Sequence, residues 1–481
     1  MTKIINLRHK FFKLILDKIQ IIIEKFIYLN LILAIIVLMT IYALSSGPGI
    51  AGISVIRVSG KETKKVIMEL TQRDLPKPRV AARRKFNKIN NNGLIDEGIL
   101  LWFPAPNSYT GEDMAEFHVH GSKAVVEAMH STISEIEGCR LADAGEFTKI
   151  AFQNGKINLL KAESISDLIS SETEMQRQQA IKIMSGKSSD KFNSLRDRIL
   201  KILSNLEAKI DFPEDDLPQD ILKNIHLETR NIKEEIKKIL NDQKVGEIIR
   251  EGFKIAIIGP TNAGKSSLLN YLSKRDVAIV SEVAGTTRDV IEAHLNLDGF
   301  PVIISDTAGI RNSKNEIEQK GIKLALKKAE NSDLNLIVME PKNIDLSDFL
   351  KDIASKSSIL VINKMELGVD KLSKEIKKYN PIFISIKEEK NLDKLINLIK
   401  ENLKNKFISS EDIFITRQRH RVNLELCLES LINFEEKKSL DDIDKAAEDL
   451  RLATRQLGCI VGKVDVEEIL GSIFNDFCIG K

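Results

Sequence analysis

Gly259-Pro260-Thr261-Asn262-Ala263-Gly264-Lys265-Ser266 decides how the middle of this chain folds. The octet spells G-x-x-x-x-G-K-[ST]. Phe253-Lys254-Ile255-Ala256-Ile257-Ile258 before it reads as a buried strand. Ser267-Leu268-Leu269-Asn270-Tyr271-Leu272 after it reads as the start of a helix. Strand, loop and helix in that order are the context a phosphate-binding loop requires. Its glycines let backbone N–H groups wrap a phosphate. Lys265 suits the β/γ oxygens, and the Ser266 hydroxyl suits Mg²⁺. The rival reading is a plain glycine-rich turn.

Outward from the loop, residues 251–402 alternate strand and helix, the pattern of a parallel α/β sheet. The expected strands are Lys254–Ile258, Val302–Ser305, Leu334–Met339, Ile359–Ile362 and Ile382–Ser385. Further motifs come in the order a GTPase needs. Gly285-Thr286-Thr287 offers a switch hydroxyl for Mg²⁺ and the γ-phosphate. The second strand delivers Asp306-Thr307-Ala308-Gly309, in which Asp306 can hold Mg²⁺ through water and the Gly309 amide can sense the γ-phosphate. Asn363-Lys364-Met365-Glu366 stands where a guanine-reading N-K-x-D belongs. A carboxylate there accepts from guanine N1–H and its amino group, which adenine cannot match. Glu366 keeps the charge of the usual Asp but moves it by one methylene. Ser385-Ile386-Lys387 occupies the place of a base-stacking S-A-K. No Gln follows Asp306 to orient the attacking water, so Glu318 is the candidate carboxylate. On spacing alone, Glu318 reads rather as a surface charge on a helix.

The chain has 481 residues, room for about three domains. Apolar residues make up 43%, and 72 Lys+Arg against 69 Asp+Glu leave a net charge of +3. That balance excludes a dedicated nucleic-acid coat, so any RNA contact must come from local patches. Four cysteines, Cys139, Cys427, Cys459 and Cys478, form no C-x-x-C pair and no zinc spacing. Such usage fits a reducing cytoplasm. Cys139 and Cys427 read as core residues.

Residues 1–38 are an apolar and basic extension. Phe26 to Leu44 is nineteen residues without charge, a transmembrane candidate by length alone. Thr40–Leu44, however, reads as the first strand of a folded domain. The favoured expectation is an upstream extension, with a start at Met39, rather than an anchor. Residues 39–152 look α+β, with strand-like runs at 53–58, 98–103 and 115–120 and helical patterns near 61–71 and 122–137. From 153 to 250 apolar positions recur at helical spacing, as in Leu195, Ile199, Ile202, Leu203 and Leu206. Asp211 to Pro218 reads as a solvated linker. From 403 to 481 the pattern is helical again, so the two helical blocks are expected to pack together around an inserted domain. His118 and His120 share a strand face but have no third ligand, so packed or edge histidines are expected rather than a metal pair. Arg79–Lys85 and Arg417–Arg421 are basic clusters. Each reads either as a tRNA contact or as a basic helix end.

Together these motifs resemble the MnmE (TrmE) family of tRNA modification GTPases. The likeness runs from Met39 to Lys481. It rests also on Pro104-Ala105-Pro106-Asn107-Ser108-Tyr109-Thr110-Gly111-Glu112-Asp113, on Gly145-Glu146-Phe147-Thr148, on Ala208–Pro213 and on the terminal Cys478-Ile479-Gly480-Lys481. The resemblance implies a folate-binding, dimerising N-terminal domain, a helical domain in two pieces and an inserted Ras-like P-loop GTPase domain. It implies a homodimer that joins an MnmG-like FAD protein as a heterotetramer. Together they would add aminomethyl or carboxymethylaminomethyl to carbon 5 of the tRNA wobble uridine. The one-carbon unit would come from 5,10-methylene- or 5-formyl-tetrahydrofolate.

Site residues follow from the same resemblance. Asn262, Ala263, Gly264, Lys265, Ser266 and Ser267 would hold GTP. Asn262, with Ser281 and Val283 of the loop Ser281-Glu282-Val283-Ala284 and with Thr286, would hold K⁺. Ser281 stands where the family more often has Thr. Ser266 and Thr287 match the Mg²⁺ ligands, and Glu318 matches the water-orienting glutamate. Arg57, Glu116, Lys156 and Lys481 match folate contacts, and Cys478 a cysteine linked to the modification reaction. Two rivals remain: a regulatory GTPase switch without modification activity, in ribosome assembly or linked to a membrane, and an ATPase permitted by Glu366. A pure switch needs neither the folate-like segment nor the terminal C-I-G-K. The expected location is cytoplasmic, without stable membrane association.

Overall fold

The computed structural model describes residues 39–89, 93–211, 220–274, 292–306, 327–342, 357–368, 373–407, 413–437 and 443–464, with Leu470, Ile473, Phe474, Phe477 and Gly480 beyond them. The chain divides into two compact units. One runs to Asn158 and takes up the C-terminal residues from Val466; the other spans Leu159–Asp465.

In the first unit the strands are β1 (Thr40–Leu44), β2 (Ala51–Ser59), β3 (Ala82–Asn87), β4 (Leu94–Phe103), β5 (Met114–Gly121) and β6 (Cys139–Leu141). They form one sheet in the order β3-β4-β5-β2-β1-β6. All neighbours are antiparallel except β1 and β6. The alternation of side chains sorts the two faces. Ile56 and Val58 of β2, with Phe117 and Val119 of β5, pack under helices α1 (Thr63–Thr71) and α2 (Lys123–Ser134) through Val66, Ile67, Leu70, Met129 and Ile133. Ser122 caps α2 by accepting the Val125 N–H. Arg57 and Glu116 therefore point to the opposite face. There α3 (Glu146–Gln153) lays Phe147 against Ile41, Ala43 and Ala142.

Beside α3, Gly145 has φ +68°, and a Cβ on it would meet the Phe474 carbonyl at 2.7 Å. Only a glycine lets that C-terminal residue sit so close. The Ser45 hydroxyl donates to the Gly480 carbonyl at 2.7 Å, which fixes the C-terminal tail against the end of β1.

The second unit has two cores. Helices α4 (Leu159–Ile169), α5 (Glu174–Met184), α6 (Lys187–Asp211), α7 (Asp220–Leu240) and α8 (Val245–Glu251) precede the phosphate loop. Leu195, Ile199, Ile202, Leu203 and Leu206 of α6 face the same core as Leu424, Cys427, Leu431, Leu450 and Leu457 from far along the chain. The second core begins at β7 (Phe253–Ile258), followed by α9 (Lys265–Lys274), β8 (Glu292–Leu297), β9 (Phe300–Asp306), β10 (Leu334–Met339), β11 (Ser358–Ile362), α10 (Lys374–Lys377), β12 (Ile382–Phe383) and α11 (Leu392–Phe407). The sheet order is β12-β11-β10-β7-β9-β8, with only β8 and β9 antiparallel. Leu268, Leu269, Leu395 and Ile399 cover one face, and Ala329 and Ile376 the other. The chain then returns to the helical core in α12 (Gln418–Glu436) and α13 (Ile443–Val461).

Three strands escaped the sequence reading. β3 lies in the basic run Arg79–Lys85, which is therefore not a helix end: its inward residue Phe86 is fully buried while Arg83 and Lys85 face water. β8 buries only Leu295 and Leu297. β6 has three residues, too few for a period to show. Conversely, the expected strand Ile382–Ser385 is regular only at Ile382–Phe383. Cys139 and Cys427 are buried as expected, and burial raises their thiols to about 11 and about 12. Among the described residues no helix is long and apolar enough to cross a membrane. Residues 1–38 lie outside them.

Candidate functional site

The phosphate loop leaves β7 at the centre of the parallel sheet and ends in the first turn of α9. Two glycines make its path possible. Gly259 has φ +147°, and a Cβ there would fall 2.0 Å from the Val338 carbonyl of β10. Gly264 has φ +98°, and a Cβ would fall 2.2 Å from Asn363 Nδ2. Lys265 is buried, and its ammonium donates to the Gly259 and Pro260 carbonyls at 2.9 and 2.8 Å. Burial lowers its pKa, opposed by the charge of Asp306. Those two carbonyls are replaceable partners: an anion seated in the loop offers the ammonium a full countercharge. The Ser266 hydroxyl donates to Asp306 Oδ2 at 2.6 Å. The candidate Mg²⁺ ligand Ser266 and Asp306, which would hold the ion through water, thus already meet across the loop and the end of β9, and a hydroxyl beside a carboxylate is a donor set that suits this hard cation.

The base-reading corner is bound to the same loop. Asn363 donates to the Ala263 carbonyl at 2.9 Å and accepts the Ile386 N–H at 3.3 Å. Lys364, at φ +62°, donates to the Asn262 carbonyl at 2.7 Å and to Glu340. Glu366 lies in a short turn, Met365–Leu367, tied to the sheet by the Met365 N–H on the Ile384 carbonyl. The Ser385 hydroxyl, then the backbone, then Lys387 and Lys364 hold its carboxyl below the usual range, so it is ionised at neutral pH. Its Oε2 is shielded from water and has no hydrogen-bond partner among the described residues. An ionised acceptor with one free oxygen fits the donor edge of guanine.

In the first unit, Arg57 and Glu116 stand opposite each other on β2 and β5 and pair at 2.8 Å. The Arg57 guanidinium lies over the rings of Tyr109 and Phe147, 5.5 and 5.7 Å from their centroids. Lys156 donates to the Pro106 carbonyl at 2.6 Å, on the loop that also carries Tyr109. These three candidate folate contacts therefore gather around one loop and one sheet face. A ring-walled ion pair fits a flat heteroaromatic ligand with donors and acceptors on one edge.

Two family models match the chain. A family described as "GTP-binding protein TrmE N-terminus" matches residues 40–156, and one described as "MnmE helical domain" matches residues 159–478. A tRNA modification GTPase MnmE of Pelagibacter ubique is 72% identical over 443 residues, covering 92% of this chain and all of that protein. Its namesake in Rickettsia bellii is 44% identical over 447 residues, with the same coverage. The chain belongs to the MnmE family of tRNA modification GTPases. It is a GTP hydrolase of that family, with the P-loop α/β architecture read from the sequence. Among solved structures, an Aquifex aeolicus Era bound to GDP·AlF4⁻ matches at 25% identity over 39% of this chain and 68% of its own, with a TM-score of 0.25. The G domain of T. maritima FeoB matches at 23% identity over 31% of this chain and 98% of its own, with a TM-score of 0.24. Scores that low add nothing to the assignment.

Several MnmE-like candidates lie outside the described residues: Ser281, Glu282, Val283, Ala284, Gly285, Thr286, Thr287, Thr307, Ala308, Gly309, Glu318, Cys478 and Lys481. Among the described residues no cluster of His, Cys, Asp and Glu is arranged for a metal. His120, at the end of the interior strand β5, pairs with Asp96 at 2.8 Å and is largely exposed. The sequence reading missed Tyr109 as a wall for Arg57, and Glu340 as a partner for Lys364. Neither carries a local signal, because each acts across a distance in the chain that only folding closes.

Proposed function

We propose that this MnmE-family chain is a potassium-dependent GTPase that, with an MnmG-like flavoprotein, adds an aminomethyl or carboxymethylaminomethyl group at carbon 5 of the tRNA wobble uridine from a folate one-carbon unit. Lys265 and the loop amides would bind the β- and γ-phosphates, and Ser266 with Thr287 would hold Mg²⁺. Mg²⁺, when bound, offsets charge on the phosphate oxygens. Water attacks the γ-phosphorus, the bond to the β–γ bridging oxygen breaks, and GDP and phosphate leave. Glu318 would orient that water. Asn262, exposed at φ +66° on top of the loop, would join Ser281, Val283 and Thr286 around K⁺. Monovalent charge there does the work that an arginine finger does elsewhere. Asn363, Lys364, Glu366 and the Ser385–Lys387 turn would read guanine.

The N-terminal domain, residues 39–152, would bind tetrahydrofolate through Arg57, Glu116, Lys156 and Lys481, and would dimerise. Residues 153–250 and 403–481 would form the helical domain around the GTPase insert 251–402, and Cys478 would serve the modification step. The partner would be an MnmG-like FAD protein, the setting cytoplasmic, without stable membrane association.

The single observation that supports this most is the shared corner: Asn363 and Lys364 bond the same loop whose Ser266 bonds Asp306. The deciding experiment joins two readouts. GTP turnover by the purified chain is measured in KCl and in NaCl, and wobble uridines are weighed by mass spectrometry in cells lacking the gene. Equal rates in both salts would remove the potassium role. Unchanged uridines would leave the regulatory switch as the better reading.

A further inference from the structure

The sequence carries two basic clusters of similar density, and the structure treats them differently. Arg417–Arg421 opens α12, and its charges end on carboxylates inside the second unit. Arg419 and His420 bond Glu163, Arg417 bonds Asp167, and Arg421 bonds Glu247 and Asp242. His420 and Arg421 are buried. None of that charge is left for a partner.

The other cluster runs Lys77, Arg79, Arg83, Arg84, Lys85 and Lys88, with no acidic residue between Leu75 and Ile95. Lys77, Arg79, Arg83, Lys85 and Lys88 are exposed. They flank β3, which ends the sheet and hydrogen-bonds a neighbour on one side only among the described residues. Arg83 and Lys85 share one face, about 7 Å apart at the strand's rise per residue. Arg83 reaches Glu97, but the arginine side chain is 81% exposed, so that pair holds little charge back. Arg79 lies over the Phe103 ring and donates to the Asn107 carbonyl, which holds its guanidinium on this edge.

From this contrast we infer that the free edge of the N-terminal sheet, around β3, is a docking surface for the phosphate backbone of tRNA. The inference rests on the tRNA reading above and adds the place of contact. A chain of net charge +3 has no global attraction for RNA, so a local patch must supply it. Edge strands that carry lysine and arginine also resist pairing with other chains. That second effect explains why such an edge stays open, and it leaves the charges facing outward. The contacts are to phosphate, so they carry affinity and salt dependence rather than sequence choice.

The test uses the full chain and an unmodified tRNA. The variant K77A/K85A/K88A removes three exposed cations outside the nucleotide site and outside every bond described above. Binding is followed from 50 to 200 mM salt, alongside GTP turnover without RNA. If each lysine meets one phosphate, the slope of log K against log salt shrinks by about two to three. Affinity at the lowest salt falls by at least about tenfold, and GTP turnover stays at the parent rate. K77R/K85R/K88R restores both slope and affinity. An unchanged slope and affinity in the alanine variant overturns the proposal. So does a loss confined to self-association, seen by sedimentation, because the edge then serves a second copy of this chain. If the parent chain binds no tRNA, the tRNA reading of the free chain fails with it.

Discussion

The second unit contains two dense polar clusters, and they differ in what the charges hold. Around Glu163, two guanidinium groups and a neutral imidazole are bound to a carboxylate that is almost fully buried: Arg417, Arg419 and His420. In the phosphate loop, Lys265 is bound to two backbone carbonyls, and Ser266 to Asp306. The first cluster is closed, since every partner is a side chain of the fold and losing the carboxylate strands the others. The second is open, since its partners are weaker than the anion and cation that can replace them. Whether a buried polar residue serves the fold or a ligand is therefore read from the strength of its present partner, more than from its burial.

Four perturbations break or sharpen that contrast. The largest effect is expected for Glu163→Ala. It leaves buried guanidinium groups without a carboxylate and should cost about 3–5 kcal/mol of stability. Thermal unfolding of the full chain would show it, while GTP affinity of the folded fraction stays unchanged. A loss below about 1 kcal/mol would mean that water or a neighbour replaces the carboxylate. Lys265→Ala should do the reverse. GTP turnover is expected to fall by 10²- to 10³-fold or more, on the scale of about 3–4 kcal/mol, with the melting temperature held. If the protein melts instead, the loop belongs with the closed cluster.

The third perturbation is pH. Burial, then Arg419, pushes the His420 imidazole down to about 4. Its Nδ1 faces the Thr416 N–H, so Nε2–H donates to Glu163 in the neutral form. Between pH 4 and an unfolded value near 6.5, the unfolded chain binds a proton that the folded chain does not. Stability should therefore fall by up to about 3 kcal/mol as pH drops through that window, and change little above it. The Glu163 carboxyl, held well below its usual range by Arg419 and His420 against the cost of burial, adds a loss below about pH 4. Urea midpoints at several pH values would test this. The same slope in His420→Gln would assign the effect to another group. The smallest effect belongs to Glu366→Asp. Shortening the side chain should leave GTP affinity equal or improved by no more than about tenfold, near 1.4 kcal/mol. ATP competing equally with GTP in the parent protein would remove Glu366 from base reading altogether.

The open cluster was legible in the sequence, and the closed one was not. A phosphate loop is made by eight consecutive residues, so its pattern survives without a fold. The strands that carry it, such as Ile255 and Ile257 of β7 and Leu336 and Val338 of β10, are continuous apolar runs because both sheet faces are covered. Glu163 meets Arg419 across more than two hundred residues, and nothing near either one announces the other. Arg417–Arg421 looked like Arg79–Lys85 on the page. Only the carboxylates brought in by α4 and α8 separate them. In the first unit, Arg57 and Glu116 were picked out by family likeness alone. Their pairing depends on a register between β2 and β5 that no local spacing encodes. β3 was hidden for a related reason: an edge strand with a single fully buried residue has too little apolar alternation to detect.

One small contact has a use in protein engineering. Arg250 ends the chain's outward path from the helical core, and Arg417 begins its way back; both guanidinium groups bond the same oxygen of Asp167, at 3.0 and 2.8 Å. The two guanidinium groups are thus no farther apart than two hydrogen bonds laid end to end, and the segments that carry them touch, since a Cβ on Gly246 would fall 2.0 Å from the Ile415 carbonyl. A glycine-serine linker long enough to cover the reach of those two side chains would splice residue 250 to residue 417. Excision of everything between would leave a minimal helical scaffold with its seam already stitched, and the same junction is a ready-made socket for grafting a different nucleotide-driven module.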